Sequence, residues 1–204
     1  MKKGTIRILS LAFLTITLFP LLTLGCFYLF EDAPLMTFIS LFQTKSSYFI
    51  EILTGILTGI ITGFIAWNFI KSNFMRSVLN KYGNLIQSLQ LNIPSIIFIS
   101  FCAGIGEELF FRGAIQLYLG IWITAVVFIA IHGYLDPTNW KITLYGILMT
   151  LIIALLGYMT EYLGLTSAML AHSIIDIILF YNLTYYKSTS NYNIKDLYEL
   201  DNHI

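Results

Sequence analysis

Residues 94–119 read PSIIFISFCAGIGEELFFRGAIQLYL. A hydrocarbon core of ~30 Å is crossed by about 20 residues of helix, so this run is long enough to span a membrane. It nevertheless carries Glu107, Glu108 and Arg112. Ionisable groups near a bilayer centre cost several kcal/mol, so they face a protein interior and mark function. The stretch therefore predicts a membrane helix within a bundle, and the rest of the chain must supply its partners.

Composition agrees with a membrane bundle. The 204 residues are 57% hydrophobic and 11% charged, with a formal net charge of zero. Soluble domains run at roughly 25% charged, and a neutral chain lacks the basic footprint of a nucleic-acid binder. Cys26 and Cys102 stand far apart in apolar stretches without metal-type spacing, and read as small packing residues. Apolar runs mark spans at Ile6–Phe30, Ser47–Ile70, Pro94 to about Leu119, Ile121 to about Leu135, Ile142 to about Thr160, and Leu163 to about Leu183. Between them, Lys71 to Asn92 mixes Lys71, Arg76 and Lys81 with Phe74, Val78, Leu79, Leu85 and Ile86, the pattern of an interfacial helix. The expected architecture is thus all-α: a polytopic transmembrane bundle of about six spans plus an interfacial helix. It divides into two N-terminal helices and a basic segment (1–92), a polar-cored bundle (93–184) and a polar tail (185–204).

With a cytoplasmic N-terminus, Lys2, Lys3, Arg7, Lys71, Arg76, Lys81, Lys141, Lys187 and Lys195 fall inside and Lys45 outside. That asymmetry predicts both termini in the cytoplasm of a multi-pass cell-membrane protein. Leu24-Gly25-Cys26 faintly suggests a lipoprotein site, but the preceding apolar run exceeds a 7–15-residue signal core. In the second span Gly55, Gly59 and Gly63 recur on successive turns; such small residues let helices approach closely. Packing within the chain is the reading favoured over dimerisation.

The remaining buried polar groups cluster in two later spans, as His132 in the fourth and His172 with Asp176 in the sixth. Glu108 and Arg112 are four apart, on one helical face, and suit a charge-assisted pair. Glu107 is turned ~100° from Glu108 and ~140° from Arg112, leaving it without a local counter-ion, the setting of a general base. His172 and Asp176 also share a face. Counted inward from the outer helix ends, Glu107 lies ~18 Å deep, His132 ~17 Å and His172 ~14 Å, one layer reached from three spans. Polar residues can simply glue helices together, and that reading suits Glu108 and Arg112 best. Asp136 and Glu161 read as cap or turn residues at span ends.

Three motifs, Glu107-Glu108-x-x-x-Arg112, Phe128-x-x-x-His132 and His172-x-x-x-Asp176, stand in order on separate spans. Here the sequence resembles the CPBP family of intramembrane proteases, which comprises CAAX proteases and bacteriocin-processing enzymes and is also called the Abi family. The resemblance runs from about Pro94 to Leu183. It implies a glutamate-type endopeptidase acting on a membrane-associated peptide without a cofactor. Carried over, Glu107 is the base, His132 holds the water, His172 and Asp176 form the oxyanion side, and Glu108, Arg112 and Phe128 support them. CAAX proteases tend to carry asparagine where Asp176 stands; an ionised aspartate donates no hydrogen bond. That departure leans toward an Abi-like branch.

Three other readings stay open. His132, His172 and Glu107 suit a three-ligand zinc site, although no HExxH occurs. A non-catalytic membrane binding or bacteriocin self-immunity protein would keep the residues as a vestige. A proton-coupled transporter also uses buried carboxylates and histidines, but its repeated halves are not evident here.

Overall fold

A computed structural model describes residues 3–186; the expected polar tail, from residue 187 on, lies outside the described residues, as do Lys187, Lys195 and His203. The described residues are helical, in the order α1 (Lys3–Phe30), α2 (Pro34–Ser40), α3 (Tyr48–Lys71), α4 (Arg76–Ser88), α5 (Ile93–Phe110), α6 (Gln116–Ile131), α7 (Trp140–Tyr162) and α8 (Leu165–Tyr185). A single 3-10 turn (Asn73–Met75) precedes α4, and a π turn (Phe111–Ile115) joins α5 to α6. Five segments are long and apolar enough to cross a membrane: Gly4–Phe30, Tyr48–Lys71, Ile93–Ile131, Trp140–Tyr162 and Leu165–Tyr185. The protein is a polytopic helical bundle.

The third segment has 39 residues, and straight it would reach ~58 Å, nearly twice a hydrocarbon core. It does not run straight. Gly120 takes φ 73° and ψ 171°, a conformation open to glycine and strained for other residues. The Phe111 and Phe128 rings consequently meet with centroids 4.9 Å apart, where a straight helix would separate them by ~25 Å. The two legs of this hairpin occupy the places expected of the third and fourth spans. The second leg departs from expectation at its end: helix stops at Ile131, not near Leu135. His132 is its cap, Gly133 turns the chain at φ 75°, and residues 134–139 carry no helix. Asp136 acts there as a turn residue, its Oδ1 accepting from Thr138 N (2.8 Å) and Thr138 Oγ1 (2.6 Å).

Helix α8 lies at the centre, packed against α3, α5, α7 and α4, while α1 packs along α5. Gly55, Gly59 and Gly63 all face α8; a Cβ at Gly59 would stand 2.8 Å from Ala171 O and 2.8 Å from Ile174 Cβ. Since a backbone atom cannot swing aside, Gly59→Ala is expected to force the helices apart at a cost of about 1–3 kcal/mol. Unfolding in detergent micelles checks this against Gly25→Ala, where a Cβ meets nothing within 4 Å and no loss is expected. Helix α4 buries Val78 and Leu79 and leaves Leu85 exposed. Its Gln87 Nε2 donates to Leu183 O (3.1 Å) and Tyr186 O (2.8 Å), tying the helix to the end of α8.

Candidate active site

The hairpin at Gly120 returns His132 to the level of Glu107, and α8 brings His172 and Asp176 to the same place. His132 Nε2 lies 3.6 Å from Glu107 Oε2, and His172 Nε2 lies 4.0 Å from the same oxygen. Both separations exceed direct hydrogen-bond length, the range in which a bridging water is considered. Glu107 keeps 15% of its side chain accessible and His132 34%. They open on a cavity of about 250 Å³, whose wall also includes Asp176, Phe128 and, from α1, Leu11 and Thr15. A single water needs roughly 10–15 Å³ of such space, so solvent and a peptide segment both have room.

Behind this face lies a second, fully buried row. Arg112 Nε stands 3.2 Å from Glu108 Oε2, and Glu108 Oε1 accepts from His172 Nδ1 at 2.8 Å. Arg112 Nη2 also donates to Ile153 O at 3.3 Å. Glu108 therefore does more than pair with Arg112: it sets the tautomer and tilt of His172. His172 and Asp176 share a face, as their spacing implies, but Nε2 and Oδ2 are 3.7 Å apart, too far for a hydrogen bond. His172 turns its Nδ1 to α5 instead.

Phe128 fills the centre of the group. Its ring stacks on His132 (centroids 4.4 Å), meets His172 edge-on (5.7 Å) and lies 5.2 Å from the Arg112 guanidinium carbon. Its carbonyl accepts from His132 Nδ1 at 2.7 Å. A carbonyl can only accept, so the proton sits on Nδ1 and a neutral His132 turns a lone pair at Nε2 toward Glu107. Among the described residues, no three His, Cys, Asp or Glu side chains stand in an arrangement that would hold a metal ion.

Three wall or core residues escaped the reading of the sequence. Tyr134 and Tyr145 line the cavity, and nothing separates them in sequence from the chain's many other aromatic residues. Glu51, at the start of α3, is buried to 1% accessibility beside Gly164. Its position near a span end gave no signal of that.

Residues 89–178 match the family model described as type II CAAX prenyl endopeptidase Rce1-like. The matched segment contains every residue of the cluster from Glu107 to Asp176. A curated relative, the uncharacterized protein YpbD of Bacillus subtilis (strain 168), is 40% identical over 89 residues, which are 43% of this chain and 44% of the relative. The match thus spans less than half the length of that relative. No solved structure matches the chain.

Proposed function

We propose that the protein is an intramembrane endopeptidase in which Glu107 activates water to hydrolyse a peptide bond. The observation that carries this reading is Glu107 Oε2 standing 3.6 and 4.0 Å from two imidazole nitrogens on a cavity wall. Water held between Glu107 Oε2 and the His132 Nε2 lone pair loses a proton to Glu107. The hydroxide attacks the scissile carbonyl carbon and gives a tetrahedral oxyanion. Glu107 returns the proton to the leaving nitrogen, the C–N bond breaks, and acid and amine products leave. His172 and Asp176 flank the reacting centre, Glu108 and Arg112 hold His172, and Phe128 holds His132. The substrate is a membrane-associated peptide, and the family description makes a prenylated CAAX peptide the first class to try. Chemistry is supplied by side chains and water, without a cofactor. The distribution of basic residues supports cytoplasmic termini and a location in the cell membrane.

Comparing peptide termini in membranes of cells carrying wild type or Glu107→Gln tests the reading. New termini confined to wild type are expected; identical sets overturn it. Zinc held by His132, His172 and Glu107 is the metal-dependent variant of the same chemistry. The expected result is cleavage that persists in chelator; loss restored by zinc alone would replace the cofactor-free mechanism. Were the protein to confer bacteriocin protection equally with Glu107→Gln, a non-catalytic immunity role would take its place.

A further inference from the structure

Hydrolysis by this route places a negative charge on the former carbonyl oxygen, and catalysis needs preorganised donors aimed at it. The cavity wall holds few. The Thr15 hydroxyl is bonded to Leu11 O at 3.0 Å. His132 has its proton on Nδ1, bonded to Phe128 O, so a neutral ring offers only an acceptor at Nε2. His172 donates from Nδ1 to Glu108. A second proton on its ring, at Nε2, would lie 4.0 and 3.7 Å from Glu107 Oε2 and Asp176 Oδ2, bonded to neither, and would supply one donor. An ionised Asp176 has nothing to donate. Two phenols remain on the wall, those of Tyr134 and Tyr145. Both also line a neighbouring cavity of about 100 Å³ that again includes Asp176.

Resting on the peptidase reading, we infer that Tyr134 donates a hydrogen bond that stabilises the oxyanion. Two glycines place it. Gly133, at φ 75°, turns the chain directly after His132. Gly146 lets the Tyr134 carbonyl seat against α7, where any Cβ would collide with it. The Tyr134 ring then lies parallel to the His132 imidazole, within 3° and 6.4 Å between centroids. The buried Tyr145 ring meets it edge-on at 5.5 Å. The ring is thereby fixed between the water-holding histidine and the body of α7, with few orientations left to lose when charge develops. Tyr145, packed edge-on against Tyr134, serves as its support.

The test uses full-length protein in micelles and a peptide substrate recovered from the Glu107-dependent termini. Tyr134→Phe keeps the ring and is expected to lower kcat about a hundredfold, the effect of removing one oxyanion donor, with KM changed less than twofold. A phosphonamidate analogue of the same peptide, which mimics the tetrahedral anion, should lose affinity by the same factor. Tyr145→Phe keeps the supporting ring and should retain wild-type kcat. Wild-type kcat in Tyr134→Phe, a loss confined to KM, undiminished phosphonamidate affinity, or a loss carried by Tyr145→Phe overturns the inference. Those outcomes leave Glu107→Gln inactive and the peptidase reading standing. The absence of any Glu107-dependent terminus removes both.

Discussion

Glu107→Gln is expected to abolish turnover, lowering kcat by about 10³–10⁴-fold with little change in stability. General base catalysis contributes 10²–10⁴-fold, and here the base also generates the nucleophile, which puts the effect at the upper end. Glutamine has the same shape and still hydrogen-bonds water, but it has no lone pair basic enough to take a proton. The residue is a clean target because its carboxylate makes no short hydrogen bond among the described residues of the bundle. Its contacts with His132 and His172, at 3.6 and 4.0 Å, are too long to be structural hydrogen bonds. The buried guanidinium of Arg112 is paired with the neighbouring Glu108. Unfolding in micelles should therefore coincide with wild type while cleavage of the recovered peptide disappears. Turnover at the wild-type rate would move the base elsewhere, and Asp176 is the remaining carboxyl on that cavity wall.

Much of this site was legible because membrane helices are regular. A rise of ~1.5 Å per residue converts sequence position into depth, which is why Glu107, His132 and His172 were expected in one layer. Depth says nothing of rotation about a helix axis. Which face α8 turns to α5 depends on the close approach of the two helices, where a Cβ at Gly104 would collide with Ser173. The Glu108–His172 bond, joining residues 64 apart, follows from that contact. Spacing within one helix could find only the neighbours four residues away, Arg112 for Glu108 and Asp176 for His172. Hydropathy likewise misplaced the end of the fourth span: Tyr134 and Leu135 are apolar and partly buried, but the backbone leaves the helix at Gly133. Hydropathy registers burial, and burial does not require helix.

Glu108→Gln is expected to destabilise the bundle by about 3–5 kcal/mol, the cost of leaving one member of a buried ion pair uncompensated. Arg112 has 1% of its side chain accessible and Glu108 none, so no water takes over the lost charge. Arg112→Met alone should cost a similar amount for the mirror-image reason. Combining the two is expected to recover most of the loss, since replacing both charges removes the desolvation penalty along with the attraction. Glutamine in the double variant can still accept from His172 Nδ1 through its carbonyl oxygen. The His172 imidazole should thus keep its tilt, and cleavage should return together with stability. A double-mutant cycle measured by unfolding in micelles yields the coupling directly. Additive losses would show that the charges do not compensate each other within the fold. Recovery of stability without cleavage would show that His172 needs a full negative charge at Nδ1, giving Glu108 an electrostatic part in the chemistry as well as a structural one.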